Sequence, residues 1–262
     1  MHPMVTIAVR AARNAGNVII RSYNHTESLN VTEKSRNDYV SEVDRRAEQE
    51  IIQTIQKSYP GHSFLAEETG KHNGNEYQWI IDPLDGTTNY LRGFPQFAVS
   101  IAMKHRDRLE HAVIFDPLKD EIFSATRGQG AQLNDRRIRV TQRKELTGAL
   151  LGTGIPYRAD QDLDAYLPTL KAMIQDTAGV RRAGSAALDL AYVAAGRLDG
   201  YWEFGLKPWD LAAGVLLVQE AGGIVTDTDG NTDYLENGNL VTGNGKIHTE
   251  MLQRLNSCKS QK

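Results

Sequence analysis

The sequence predicts a mixed α+β chain, on three observations. Apolar residues recur at helical spacing in the first quarter, a run of strand-like segments follows with turn residues between them, and helices alternate with strands thereafter. At 262 residues the chain can bury one large core or two closely packed halves. It is 40% hydrophobic and 24% charged, as in ordinary soluble globular proteins, and its net charge of -3 carries no general nucleic-acid footprint. The single cysteine, Cys258, excludes an intrachain disulfide and a cysteine metal site. No basic segment leads into an apolar run at the N-terminus and no long apolar stretch occurs, so a cytoplasmic location is expected. The Asn-x-Thr triplets at Asn24 and Asn30 have no meaning without secretion.

Met4, Ile7, Ala8, Ala11, Ala12, Ala15, Val18 and Ile19 predict an amphipathic first helix, weakened slightly by Gly16. After a polar stretch to about Asn37, Ser41-Glu42-Val43-Asp44 is a capping-box pattern. Val43, Ala47, Ile51 and Ile55 mark one face of the helix it starts, and Pro60-Gly61 ends it. Ser63 to Ala66 reads as a strand delivering Glu67-Glu68, with Thr69-Gly70 opening a polar loop. Phe97 to Met103, Leu109 to Phe115 and Glu121 to Ala125 predict consecutive antiparallel strands, punctuated by Arg127-Gly128-Gln129-Gly130 and Asn134-Asp135. The strand run stops near Thr141 to Leu146, which suggests halves of 1–143 and 144–262 without a visible linker. Leu163, Tyr166, Leu167, Leu170 and Ile174 then trace a helix, and Ser185 caps another that runs to Gly196. Asp199 to Phe204 reads as a strand and Trp209 to Ala221 as a buried helix closed by Gly222-Gly223. Short strands at Ile224 to Thr226 and Leu240 to Val241 precede a last helix over Ile247 to Leu255.

The most informative stretch is Trp79-Ile80-Ile81 followed by Asp82-Pro83-Leu84-Asp85-Gly86-Thr87-Thr88-Asn89. It reads as a buried strand running into a sharp polar turn, with Pro83 fixing one backbone angle and Gly86 permitting close backbone approach. Two adjacent acids at a strand end repel each other, and a cation relieves that repulsion. The N–H groups and hydroxyls of Thr87 and Thr88 then suit an anion if a helix starts there. That order, acids first and anion cradle second, suits a cation-bridged phosphate. Further acids stand at structural junctions: Asp44, Glu67 with Glu68, and Asp210 after Trp209. Each has a structural alternative. Asp44 completes a capping box, Asp210 complements a helix dipole, Glu67 and Glu68 form a solvated pair, and Glu203 is an ordinary strand residue. Carboxylate oxygen is the ligand magnesium prefers. The histidines (His2, His25, His62, His72, His105, His111, His248) show no metal-ligand spacing, which disfavours zinc. Gly152-Thr153-Gly154 and Gly128-Gln129-Gly130 lack the third glycine and following acid of a dinucleotide site.

The run Asp82 to Asn89 resembles the first signature of the inositol monophosphatase family. Trp209-Asp210-Leu211-Ala212-Ala213-Gly214 with Glu220-Ala221-Gly222-Gly223 resembles the second. Ala66-Glu67-Glu68-Thr69 matches the family's acidic strand end, with Ala66 and Thr69 standing where Gly and Ser are usual. The similarity extends from the first helix to about Asn244, and Arg181 to Tyr192 look most like the family's bacterial SuhB branch.

The resemblance implies a five-layered αβαβα sandwich with the site between the halves, a homodimer, and a magnesium-dependent phosphatase for myo-inositol 1-phosphate or a similar polyol phosphate, inhibited by lithium. By it, Glu67, Asp82 and the carbonyl of Leu84 hold one magnesium, and Asp82, Asp85 and Asp210 a second. Asp44 and Thr87 polarise the attacking water, helped by Glu67 through a more loosely held third ion. Gly86 and Thr87 cradle phosphate, and Asp85, Ser185, Ala186 and Glu203 contact sugar hydroxyls. Asp82-x-x-Asp85 is not the Asp-x-Asp of aspartyl-nucleophile phosphatases, which argues for direct attack by water. Fructose bisphosphatase, nucleotide 3'-phosphatase and histidinol-phosphate phosphatase activities are rivals. A bisphosphate needs a second basic pocket from Arg181, Arg182 or Lys207, against which these read as solvated charges or as a partner surface. The branch likeness also implies a binding role in ribosomal RNA transcription antitermination through NusA and RNA polymerase.

Overall fold

A computed structural model describes residues 2–23, 31–35, 38–156 and 161–259. The triplets at Asn24 and Asn30, and His25, lie outside the described residues. The chain opens with helix α1 (Pro3–Tyr23), a hairpin of β1 (Val31–Ser35) and β2 (Asp38–Ser41), and helix α2 (Glu42–Ser58). Then come β3 (Ser63–Ala66), β4 (Gly70–His72), β5 (Tyr77–Asp85), the short helix α3 (Thr87–Leu91), β6 (Ala98–His105), β7 (Arg108–Asp116), β8 (Glu121–Thr126), β9 (Gly130–Leu133) and β10 (Arg136–Arg137). The remainder is β11 (Leu150–Thr153), α4 (Leu163–Ile174), β12 (Gly179–Arg181), α5 (Ala186–Ala194), β13 (Gly200–Glu203), α6 (Pro208–Glu220), β14 (Ile224–Thr226), α7 (Tyr234–Asn237), β15 (Leu240–Gly243) and α8 (Gly245–Lys259).

Among the described residues the strands form an eight-stranded sheet, ordered β10-β9-β8-β7-β6-β5-β3-β4, and a five-stranded sheet, ordered β12-β11-β13-β15-β14. The large sheet is antiparallel except where β3 runs parallel to β5. Its central strands are buried on both faces, which is why they read as continuous apolar runs. Alternate residues go to different cores: Ile80, Ala112 and Ile114 pack with α5 and α6, whereas Trp79, Ile81, Val113 and Phe115 pack with α1 and α2. Tyr166, Met173, Met251 and Leu255 of α4 and α8 cover Leu151, Trp202 and Val241 of the small sheet. The layers therefore run α1/α2, large sheet, α5/α6, small sheet, α4/α8, the αβαβα order expected. No helix among the described residues is long and apolar enough to cross a membrane.

Several elements depart from expectation. Thr69-Gly70 opens the short strand β4 rather than only a loop, and the polar stretch before Ser41 holds the β1–β2 hairpin. Gly130 begins β9, while Asn134 and Asp135, both at positive φ (46° and 62°), make the tight turn to β10. On α4 the inward residues are Tyr166, Thr169 and Met173, and Leu163, Leu167 and Ile174 of the expected apolar face are exposed. The Trp202 indole N–H donates to the Thr169 hydroxyl at 3.2 Å, so an aromatic–hydroxyl contact sets the inward face.

Candidate active site

Asp82 and Asp85 lie three apart on one strand, so regular pleating would send them to opposite faces. A bulge prevents this. β5 pairs Asp82 with Ser100 and then Asp85 with Ala98, three steps against two. Pro83 sits in this irregular stretch, where no ladder donor is required. Both carboxylates thus reach one cleft of ≈ 570 Å³ between the large sheet and the elements that follow.

Asp82 is 2% exposed, and its Oδ1 accepts the Leu84 N–H at 3.0 Å. Burial first, then the charges of Glu67, Asp85 and Asp210, hold its carboxyl well above the usual carboxylate range. Those neighbours arrive from separate elements: Glu67 at the end of β3, Asp85 at the end of β5, Asp210 in the first turn of α6. Glu48 on α2 accepts the N–H groups of Glu68 (2.8 Å) and Thr69 (2.9 Å), fixing the backbone that carries Glu67. Asp85 Oδ2 accepts from the Ser185 hydroxyl at 2.6 Å and the Ala187 N–H at 2.7 Å. Burial pushes Asp85 up to about 7 against those donors, with Glu203 and Glu67 adding to the rise. Asp210 accepts the Lys207 N–H at 2.7 Å, so it serves its helix start as well as facing the cleft.

The turn beyond these acids is set by Gly86, at φ 94°. A Cβ there would stand 2.8 Å from the Gln96 carbonyl oxygen and 3.2 Å from that of Gly184, so only glycine fits. Thr87 follows as the first residue of α3. Its hydroxyl donates to Asp44 Oδ1 at 2.9 Å and lies 3.0 Å from the Leu84 carbonyl oxygen. Asp44 lies fully buried behind Thr87, where it also closes the capping box of α2 by accepting the Ser41 N–H at 2.9 Å. Burial raises its carboxyl, opposed by the Ser41 and Thr87 hydrogen bonds. The structural and functional readings of Asp44 are therefore compatible. Asn89 ties the turn to the later half: its Nδ2 donates to the carbonyls of Gln96 (2.7 Å), Ala183 (2.9 Å) and Gly184 (3.2 Å).

Of the residues singled out from sequence, Glu67, Asp82, Leu84, Asp85, Gly86, Thr87, Ser185, Ala186, Glu203 and Asp210 line this cleft, and Asp44 stands one hydrogen bond behind it. Ser185 also caps α5 by accepting the Leu188 N–H at 3.4 Å. Glu203 accepts the Tyr201 hydroxyl. Arg182 lines the cleft while remaining exposed, as its reading as a solvated charge has it, and the exposed Arg181 reaches its neighbouring Val180 carbonyl. Asp189 lines the cleft too, and the sequence pattern did not single it out. Its position on an apolar helix, among Leu188, Leu190 and Ala191, was the available signal.

The donor set is all oxygen, which suits a hard cation such as magnesium and not zinc. Among the described residues, however, no three His, Cys, Asp or Glu side chains are grouped so as to hold a metal ion as they stand. Repulsion explains the difference: Asp82, Asp85 and Asp210 each turn an oxygen to a backbone or hydroxyl donor, and a cation would draw the group together. The described histidines have other work. His62 accepts the Trp79 indole N–H at 3.0 Å, and His105 pairs with Glu76.

Comparison with known proteins agrees with this geometry. A model of the inositol monophosphatase family matches residues 1–260. A Pseudomonas aeruginosa protein named Nus factor SuhB is 55% identical over 258 residues, covering 96% of this chain and 95% of that protein. The crystal structure of the extragenic suppressor protein suhB from Bartonella henselae superposes with a TM-score of 0.95 at 43% identity, covering 97% of this chain and 98% of that one. An inositol monophosphatase structure from Anabaena gives 0.86 at 40% identity, covering 96% and 94%.

Proposed function

Because this chain belongs to the inositol monophosphatase family, we propose that it is a magnesium-dependent phosphomonoesterase acting on myo-inositol 1-phosphate or a similar polyol phosphate. The observation that carries this reading is the convergence of Glu67, Asp85 and Asp210 on the buried Asp82, beside the Gly86–Thr87 turn. Glu67, Asp82 and the Leu84 carbonyl would hold one magnesium and Asp82, Asp85 and Asp210 a second, with a third near Glu67. Bound there, magnesium supplies charge neutralisation for the phosphate, the leaving oxygen and the attacking water.

The protein's own groups do the rest. Thr87 passes its hydroxyl proton toward Asp44, which leaves the threonine oxygen as an acceptor for a water in the cleft. Burial raises the basicity of Asp44, as a proton acceptor requires. The N–H groups of Gly86 and Thr87 hold phosphate oxygens. Asp85, Ser185, Ala186 and Glu203 orient the leaving group through its hydroxyls.

Phosphate release from myo-inositol 1-phosphate, fructose 1,6-bisphosphate and a 3'-phosphonucleotide, with and without magnesium, tests the assignment. Magnesium-dependent release from the inositol substrate is expected. Silence toward all three from folded protein would overturn it.

The name Nus factor SuhB carried by the Pseudomonas relative favours a second, coexisting role. We propose that a homodimer of this chain, in the cytoplasm, also joins a transcription complex through NusA and RNA polymerase. The halves 1–143 and 144–262 would then share one cleft and offer a separate outer surface. Capture of NusA by both wild type and Asp85→Asn is expected; failure of both to bind sinks this role and leaves the phosphatase untouched.

A further inference from the structure

Asp189 is 2% exposed, lines the cleft, and its Oδ1 has no hydrogen-bond partner among the described residues. A buried carboxylate oxygen without a donor is costly, and native folds seldom keep one. Its neighbours are provided for. Asp85 receives the Ser185 hydroxyl and the Ala187 N–H, and Glu203 receives the Tyr201 hydroxyl. Glycines let neighbouring side chains pack closely along the wall near Asp189. A Cβ on Gly152 would crowd Leu198 and Tyr201 and come within 3.8 Å of the Asp189 Cβ, and one on Gly154 would overlap the Glu203 carboxyl. Of the glycines of Gly152-Thr153-Gly154, which fit no dinucleotide site, Gly154 leaves room for the Glu203 carboxyl and Gly152 for Leu198 and Tyr201.

We infer that Asp189 is a specificity-determining residue whose carboxylate accepts a hydrogen bond from a leaving-group hydroxyl. This rests on the phosphatase reading of the same cleft. The charge argument sets the orientation. A carboxylate repels the phosphate, so the phosphate lies toward Gly86 and Thr87, and Asp189 meets the alcohol portion beside Glu203 and Asp85. The Oδ1 is shielded from solvent, so a small turn of the Asp189 side chain toward the cleft brings it to such a hydroxyl, which completes it without adding charge.

The test compares wild type, Asp189→Ala and Asp189→Asn in magnesium, on myo-inositol 1-phosphate and on p-nitrophenyl phosphate, whose leaving group lacks hydroxyl donors. Losing a hydrogen bond to a charged acceptor is worth about tenfold or more in binding. For Asp189→Ala, KM for the inositol substrate and Ki for free myo-inositol should rise about tenfold or more. The preference in kcat/KM for the inositol substrate should fall by a similar factor. Asp189→Asn, whose amide oxygen still accepts, should recover part of it. Asp189→Ala should melt no lower than wild type without metal, since a buried carboxyl oxygen without a donor is removed. Equal losses on both substrates, an unchanged preference, or failure of both variants to fold would overturn the inference. Wild type silent on both substrates would overturn the phosphatase reading and this inference with it.

Discussion

The cleft has two acidic walls built on different principles. At the turn of Asp82 to Thr87, Asp82 and Asp85 each rest an oxygen on a backbone or hydroxyl donor, so each is partnered before any ligand arrives. On the wall of Asp189 and Glu203, one acid takes a tyrosine hydroxyl and the other leaves an oxygen without a donor. On the readings proposed above, the first wall meets cations and the second meets something that brings its own hydrogens. Like residues in one cavity thus acquire different chemistry from what their backbones already supply.

The largest expected effect breaks the first wall. Asp85→Asn keeps an oxygen for Ser185 and Ala187 but removes a cation ligand and its charge. Turnover should fall about 10³-fold or more, as expected when several kcal/mol of charge stabilisation are lost, with the circular dichroism spectrum unchanged. Wild-type rates in that variant would refute the metal assignment. Thr87→Ala should come next, lowering kcat by about 10²-fold or more by cutting Asp44 off from the cleft, with Thr87→Ser restoring most of the rate. If serine and alanine behave alike, the hydroxyl has no part in proton transfer.

Gly86→Ala acts on the scaffold under the first wall. A side chain at φ 94° costs about 1–2 kcal/mol before the contact with Gln96 is counted. Melting should fall accordingly, and an unaltered melting temperature would show that the turn relaxes freely.

The smallest effect is in the pH dependence of stability, where the cleft and the rest of the protein have opposite signs. Asp85, raised to about 7, keeps a proton in the folded state that the unfolded chain has lost, so metal-free stability drops as pH rises from about 4 to 7. His111, far from these acids in sequence and held down to about 4 by burial and by His2, works the other way. The unfolded chain takes up its proton near 6.5, so stability drops as pH falls from about 6.5 to 4. Denaturant midpoints across pH 4–7 should show a shallower acid-side decline in His111→Gln. The same decline in that variant would assign the loss to other groups.

Much of this was legible beforehand because the signals were local. The capping box at Ser41 and Asp44, the helix start at Ser185 and the polar turn after Ile81 each follow from residues within one turn of chain. The misses depend on distant partners. β11 carries Gly152, considered in the sequence only as part of a rejected dinucleotide motif, yet it is a strand held between β12 and β13 in parallel pairing. Leu163 and Leu167 suggested the buried face of α4, but Trp202 selected Thr169 instead. Asp189 looks like an ordinary member of a helix until folding places it in the cleft with Glu203.

The bulge in β5 has a consequence for how this segment can vary. Pro83 and Leu84 are spacers for the site, which uses the carbonyl of one and the backbone of both, although the Leu84 side chain is itself buried in the core against α1 and α2 and tolerates only apolar exchange. Deleting one residue would remove the bulge: the acids would stand two apart on a regularly pleated strand, still on one face, but the kinked backbone that offers the Leu84 carbonyl to the Thr87 hydroxyl would be lost. In this segment the count of residues is a stricter inheritance than their identity.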